Sequence, residues 1–343
     1  MNVRRLLVFL VPLALALTLA PPGWSKGRTT STLPPSTSPV PVRPGDVVNS
    51  WALSPAQSQE FEHSSDRTSF SYDVAAGTHL TDQATLYNYS NVQLTFHVYG
   101  TDAFNDQAGG FSVLSGDKKP TDVGAWIHVP QAFTLPANSQ VTFPVTIDVP
   151  LHATPGDHAG AILASSPVSG SGPDGKIVNV DRRTGTRMYI RVAGRLTPRL
   201  AVTKLSAAYH ARLSPLGGHV TATYRIENIG NVRLAGTQRF HAGGLLGMLG
   251  KSTKPTAIPE LLPGQAFTLR AELDGLPATI LGSAGVSVEP AKFDGKRVDG
   301  DTRRSVTFAP PYSVLAFALV ALLIARARRS YVGHAYEGLP RSS

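Results

Sequence analysis

Apolar and polar residues alternate through most of this chain, and this alternation limits the folds that the chain can adopt. Apolar residues occupy every second position over 70–74, 94–98 and 141–149 in the first half, and over 220–226 and 267–273 in the second. A period of two buries one face of a β-strand and exposes the other. Pro, Gly and Asn residues typical of turns separate these segments. The pattern predicts an all-β protein made of antiparallel sheets.

A pair of short motifs occurs twice in the β-rich region. The heptapeptide NYSNVQL at 88–94 recurs as NIGNVRL at 228–234, and LPANSQVT at 135–142 is echoed by LPGQAFT at 262–268. Because both pairs keep the same order, we predict two tandem immunoglobulin-like β-sandwiches, at residues 48–196 and 197–308. The alternative is that both motifs are hairpins of the kind common in all-β proteins. In either interpretation we expect the Asn-containing motifs to form hairpin turns.

Apolar segments at both ends predict export and a single membrane anchor. Arg4 and Arg5 precede a short apolar run, which is typical of a secretory signal peptide. Ala20 is a fair last residue of the signal, but Pro21 hinders cleavage there, so Ser25 is the competing site. We assign the signal to residues 1–25 and a Ser/Thr/Pro-rich extended spacer to 26–47.

The apolar segment 309–325 predicts a transmembrane helix, because it approaches the length that spans a bilayer. The basic segment 326–343 is then a cytoplasmic tail, because positive flanks resist translocation. This arrangement places the protein in the plasma membrane, with its N-terminus outside. The alternative is that 309–325 is a buried core helix.

Charge and cysteine content limit the partners and the chemistry. The net charge is +9, to which Arg4 and Arg5 contribute +2 and the last 18 residues contribute +3, from four arginines and one glutamate. The remaining +4 is too diffuse for nucleic acid and is compatible with an anionic envelope polymer. The absence of cysteine excludes thiol catalysis and cysteine-ligated zinc. An exported protein without disulfides is typical of a bacterial surface.

No motif in the sequence indicates catalysis or cofactor binding. The ten histidines are scattered, and neither a His-Glu-x-x-His motif nor a Gly-x-Ser-x-Gly motif at a strand-to-helix turn occurs. We therefore predict no catalytic, cofactor-binding or metal-ligating residues, and a protein that is not an enzyme.

Two polar groups resemble sites but have simpler interpretations. Asp102, Asn105 and Asp106 offer oxygen ligands for calcium, yet their spacing is not that of a known calcium loop, and a polar hairpin is favoured. The segment PGDHAG at 155–160 combines an acid with a histidine. A Pro-Gly turn that enters a strand, with Gly160 allowing close strand approach, is the favoured explanation.

The first predicted sandwich also contains aromatic residues and additional segments. Tyr99 and Trp126 are candidate sugar-stacking platforms, although Trp126 is favoured as a core residue. The segment 101–124 is a long addition relative to the second sandwich. The Ser/Gly/Pro-rich segment 166–175 predicts a flexible loop, and the WAL string at 51–53 predicts the first strand.

Seven motifs in the first half resemble those of a known family. In chain order they are SYDVAAG (71–77), NYSN (88–91), VYGTDAFN (98–105), GGF (109–111), TDVGAW (121–126), TPGDHAG (154–160) and GTRMYIRV (185–192). Together they resemble the peptidoglycan-binding domain of WxL-interacting proteins, in the form found in actinobacterial membrane-anchored surface proteins. The resemblance covers residues 48–196 closely and the second sandwich loosely.

The resemblance implies a non-enzymatic surface protein whose first sandwich binds peptidoglycan or another cell-wall polymer. It supplies no mapped glycan-binding residues, and the second sandwich departs from the family's host-binding domain. The alternative function is an extracellular scaffold, in which exposed strand edges at 199–308 recruit another exported protein.

Overall fold

The computed structural model describes residues 49–57, 67–171, 177–212, 218–244, 249–309 and 312–336. The predicted signal peptide and spacer at 1–47 lie outside the described residues, as does the end of the predicted tail. Most of the described chain is β-strand, which confirms the all-β, immunoglobulin-like prediction.

The first sandwich consists of ten strands and a one-turn helix, α1, at Val123–Trp126. Its strands are β1 (Trp51–Pro55), β2 (Ser69–Val74), β3 (His79–Asn88), β4 (Leu94–Asn105), β5 (Phe111–Val113), β6 (Ile127–His128), β7 (Ala132–Leu135), β8 (Ser139–Asp148), β9 (Gly156–Ser171) and β10 (Ile177–Val192).

Two sheets pack face to face in this sandwich. The smaller sheet has the order β1-β3-β8-β6, and the larger has the order β2-β10-β9-β4-β5, with β7 also paired to β4. Alternate residues such as Phe96, Phe143, Ile147 and Ile190 face inward and form one buried cluster. Strand β2 pairs with β10 in parallel, whereas the other pairs in this sandwich are antiparallel.

The second sandwich begins eight residues after β10. Its strands are β11 (Leu200–His210), β12 (Gly218–Asn228), β13 (Leu234–Gly243), β14 (Lys251–Ser252), β15 (Thr256–Leu261), β16 (Ala266–Leu276), β17 (Ile280–Pro290) and β18 (Asp301–Ala309). One sheet has the order β11-β12-β16, and the other has the order β14-β13-β17-β18, with β15 paired to β13. A separate buried cluster that includes Tyr224, Phe240 and Val286 fills the space between them.

The repeated Asn motifs hold equivalent turns in the two sandwiches. The buried Asn88 side chain donates hydrogen bonds to the carbonyl oxygens of Val92, Leu135 and Pro136. The Asn228 side chain makes the matching bonds to Val232 and Leu261. In the second copy the Asn228 backbone also bonds to Gly264 and Gln265. In each copy the first repeated motif is therefore bonded to the second, which explains why the two motifs recur together.

The Asn-containing turns are not the predicted hairpins. Strands β3 and β12 each lie in one sheet, whereas β4 and β13, the strands that follow them, lie in the opposite sheet. The chain crosses the core at these turns, and the Asn88 and Asn228 side chains satisfy backbone groups that no adjacent strand can reach.

Residues 166–171 of the predicted flexible loop at 166–175 form strand instead, and 172–175 lie outside the described residues. Strand β9 continues to Ser171, and Ser166 pairs with Arg182 of β10 in a long antiparallel hairpin. The ladder hydrogen bonds of β10 outweigh the weak strand preference of Ser and Gly here.

The C-terminal apolar segment lies in α2 (Tyr312–Tyr336), and its described apolar side chains, including Leu315, Phe317 and Leu322, are exposed. The alternative of a buried core helix is therefore wrong. Within the described ranges, no helix has both the length and the apolar character needed to cross a membrane. The helix continues past Arg326 to Tyr336.

Candidate functional site

An open groove of about 610 Å³ lies on the outer face of the larger sheet of the first sandwich. Strands β4, β9 and β10 form its floor. On β4, Phe96 and Val98 point into the core, so His97 between them points outward. Strand register places His97 beside Ser165, and Ser165 beside Arg183. The segment 115–120 forms the opposite wall. The additional segment at 101–124 thus folds back over its own sheet and creates the groove.

Two stacked rings form one side of the groove. His97 and Tyr99 are two positions apart on β4 and therefore share a face. Their ring centroids are 5.4 Å apart with an interplanar angle of 29°. His97 is exposed and Tyr99 is half-buried, so the pair presents ring surface to solvent. An apolar platform beside polar groups is typical of a ligand-binding cleft.

Charged side chains surround the aromatic pair. Three cations, Lys118, Lys119 and Arg183, and two acids, Asp117 and Asp181, line the groove, which leaves one positive charge in excess. Arg183 pairs with Asp181 at 3.2 Å, and the Ser115 hydroxyl lowers the pKa of Asp117. The groove can therefore offer hydrogen bonds to neutral hydroxyl and amide groups, and cations to an anionic substituent.

Of the two candidate stacking residues, the structure places only Tyr99 in the groove. Trp126 is buried in the core of the first sandwich, where its ring lies 4.9 Å from that of His158. The core interpretation of Trp126 is confirmed.

The residues weighed as calcium ligands bind protein groups instead. The buried Asp102 carboxylate accepts hydrogen bonds from three backbone N–H groups around the start of α1, those of Thr121, Asp122 and Gly124. Asp106 accepts hydrogen bonds from the N–H groups of Ala108 and Gly110 within its own turn. The two carboxylates stabilise separate segments, and Asp106 lies in the turn between the paired strands β4 and β5, so the interpretation of a polar hairpin is correct there.

The PGDHAG segment lies where the two sandwiches meet. The Asp157 carboxylate, 5% exposed, accepts hydrogen bonds from the Arg191 guanidinium at 2.6 and 3.1 Å and from the Arg233 backbone N–H at 2.8 Å. The Asn231 side chain donates to the Pro155 carbonyl at 2.8 Å. The sequence does not reveal this role, because Asp157 and Arg233 are distant in the chain.

Gly156 is required at this junction. Its φ is +124°, and a Cβ atom there would lie 2.1 Å from the Asn231 carbonyl oxygen. The turn interpretation of Pro155-Gly156 is correct, and the close approach of the second sandwich is a further reason for glycine.

A second set of contacts also joins the two sandwiches. The Asn105 side chain donates to the Glu260 carbonyl at 2.9 Å and accepts from the Leu262 N–H at 2.8 Å. The Arg233 guanidinium lies 3.9 Å from the ring centroid of Tyr189, which packs in a small buried cluster with Leu262. These contacts fix the second sandwich against the first.

His158 occupies a smaller cleft of about 250 Å³ beside this junction. Its Nδ1 lies 2.8 Å from Asp122 Oδ1 and its Nε2 lies 2.8 Å from the Thr154 carbonyl oxygen. Burial lowers the pKa of His158, but the bonds to Asp122 and Thr154 outweigh it and the net shift is upward. Two acceptors on one imidazole favour the protonated ring, which links α1 to the start of β9.

Sequence comparison with known proteins assigns no family to this chain. No protein-family model matches this chain, and no curated protein matches it. The resemblance to WxL-interacting proteins is not tested by these results and stays a prediction.

Several solved structures are similar in fold. One describes the chaperone–tip adhesin complex of CFA/I fimbriae (12% identity, covering 75% of this chain and 98% of that chain, TM-score 0.36). A second is the class 5 fimbriae chaperone CfaA, with 14% identity, a TM-score of 0.32, and coverage of 70% of this chain and 96% of that chain. A third is the E. coli chaperone DraB, with 13% identity, a TM-score of 0.30, and coverage of 75% of this chain and 97% of that chain. The partners of those proteins are not transferred to this chain.

Proposed function

We propose that this protein is a non-enzymatic cell-surface protein whose first sandwich binds peptidoglycan in the groove around His97 and Tyr99. The observation that carries the proposal is the stacked pair His97–Tyr99 in an open cleft with Lys118 and Lys119 on its wall. The location outside the plasma membrane is part of the proposal and rests on the sequence alone.

The chemistry of the groove suits a wall glycan. Its volume lies within the range of about 300–1,000 Å³ that ligand pockets occupy. The rings supply an apolar surface for a sugar face, and the surrounding polar groups supply hydrogen bonds. The lysines supply cations for the carboxylates of peptidoglycan stem peptides. Affinity at each site is low, and repetition of the polymer raises the overall affinity.

Co-sedimentation of the purified full chain with peptidoglycan stripped of attached polymers tests the proposal. We expect the wild-type protein to pellet even at about 0.5 M salt, where the Debye length is only a few Å. We expect Tyr99→Ala to reduce this pelleting strongly. Tyr89→Ala is the matched control, because Tyr89 is an exposed ring stacked on Tyr87 outside the groove. Failure to pellet, or equal pelleting by both variants, contradicts the proposal.

One observation favours the alternative of an extracellular scaffold. Among the described residues, the 11-residue strand β16 pairs only with β12, so its other edge can accept a strand from a second protein. A photo-cross-linking residue at Thr268, on the outward face of β16, tests this function in cells. A single protein adduct together with no wall binding would favour the scaffold over the peptidoglycan proposal.

A further inference from the structure

Three metal-ligating side chains meet on the outer face of the three-stranded sheet of the second sandwich. Antiparallel register places His219 of β12 beside Asp274 of β16, and Thr221 beside Glu272. Val220 and Leu273, which alternate with them, face the core side. One ligand atom each from His219, Glu272 and Asp274 lies within 4.8 Å of the other two.

The imidazole of His219 lacks hydrogen-bond partners in the described part of the chain. Its Nδ1 is buried with no partner, and its Nε2 lies 3.7 Å from Glu272 Oε1, which is beyond hydrogen-bonding distance. The side chain is only 22% exposed, so water reaches little of it. Among the described residues, the 3.7 Å contact with Glu272 leaves His219 Nε2 without a hydrogen bond, so this nitrogen can bind an added ligand.

A second histidine holds the His219 ring in place. His210 of β11 is the cross-strand neighbour of His219, and the two rings stack with centroids 4.7 Å apart and an interplanar angle of 19°. The His210 Nε2 is in turn bonded to Thr221 Oγ1 at 3.0 Å. The stack restricts rotation of His219, so its Nε2 stays directed toward the two carboxylates.

We propose that His219, Glu272 and Asp274 bind a divalent transition-metal ion of the Zn²⁺ class. One imidazole nitrogen and two carboxylate oxygens are a donor set that Zn²⁺ accepts, with water as the fourth ligand. Bonds of about 2.0–2.1 Å place tetrahedral ligand atoms about 3.4 Å apart. Glu272 and Asp274 are 52% and 65% exposed and can rotate to shorten the present separations.

A guanidinium competes for the same carboxylate. Arg212 Nη2 lies 3.3 Å from Asp274 Oδ1, and both side chains are more than half exposed. Such surface pairs contribute little free energy. The metal ion therefore displaces Arg212 on binding, and removal of the Arg212 charge strengthens metal binding.

Calorimetric titration of Zn²⁺ into the untagged, chelator-treated full chain tests the site. We expect a saturable equivalent whose affinity falls at least about tenfold in His219→Ala, since even the loss of an outer partner of a metal ligand costs about 10–100-fold. His152→Ala is the matched control, because His152 is an exposed histidine of the first sandwich. Unchanged binding in His219→Ala, or equal losses in both variants, overturns the proposal.

Two additional variants test whether the carboxylates of Glu272 and Asp274 are metal ligands. Glu272→Gln keeps the shape of the side chain and lowers Zn²⁺ affinity, whereas Arg212→Gln raises it. Zn²⁺ also raises the thermal midpoint of the wild type but not that of His219→Ala, because only a folded site binds the ion. An Arg212→Gln variant with unchanged or weaker binding overturns the assignment of Asp274 as a ligand.

Discussion

The ion pair between Asp157 and Arg191 stabilises the junction of the two sandwiches, and Asp157→Asn tests how strongly. The substitution keeps the size of the side chain but removes the charge that accepts hydrogen bonds from Arg191 and from the Arg233 N–H. Asp157 is 5% exposed, and Arg191 is 25% exposed and also lies over the Phe293 ring at 5.0 Å.

The expected loss follows from these contacts. Charge-assisted hydrogen bonds contribute about 1.5–3 kcal/mol each, and removing one partner of a buried pair costs about 3–5 kcal/mol. Partial exposure of Arg191 moves the value to the lower end of that range, because water can solvate part of the released guanidinium. We therefore expect Asp157→Asn to lower the free energy of unfolding by about 3 kcal/mol.

Urea denaturation at pH 7, followed by circular dichroism, measures this loss. With a slope of about 3 kcal/mol/M, the midpoint falls by about 1 M. The control is Asp181→Asn, whose carboxylate is 52% exposed and 3.2 Å from Arg183, and which we expect to cost less than about 1 kcal/mol. A loss for Asp157→Asn no larger than that of the control would refute the role given to the junction.

Three further changes have expected outcomes. Asn228→Ala leaves two buried carbonyls unpaired and lowers the free energy of unfolding by about 2–4 kcal/mol in urea denaturation; a loss below 0.5 kcal/mol, the usual surface value, would contradict the turn assignment. Arg67→Ala removes the 2.6 Å partner of Asp82, which is 1% exposed, and lowers the thermal midpoint by several degrees, whereas an unchanged midpoint would contradict a buried pair. The raised pKa of His158 gives a stabilisation that is complete below pH 6.5 and is lost as the pH rises through the folded pKa. Asp122→Asn abolishes this pH dependence of unfolding, and a profile identical to that of the wild type would exclude the His158 interaction as its source.

The sequence predicted those parts of the fold that depend on local periodicity. Alternation over 141–149 places Phe143, Val145 and Ile147 on one face, and all three are buried. A buried strand face leaves this signature in neighbouring residues, so no knowledge of strand partners is needed.

Features that depend on strand partners could not be predicted in this way. The parallel pairing of β2 with β10 joins segments more than a hundred residues apart, and the groove requires His97, Ser165 and Arg183 to be in register. The acid and histidine in PGDHAG drew attention to this segment, but the role of Asp157 depends on Arg233 of the second sandwich. The same limitation concealed His219 and Asp274, which are adjacent only because β12 and β16 pair.

The most direct test of the central claim is a calorimetric titration of the full chain with soluble disaccharide-peptide fragments of peptidoglycan. The account predicts saturable binding to the wild type and to Tyr89→Ala, and an affinity at least about tenfold lower for Tyr99→Ala, which corresponds to about 1.4 kcal/mol. Equal affinities for the wild type and Tyr99→Ala, or no binding by any of the three proteins, would contradict the claim that the groove around His97 and Tyr99 binds the cell wall.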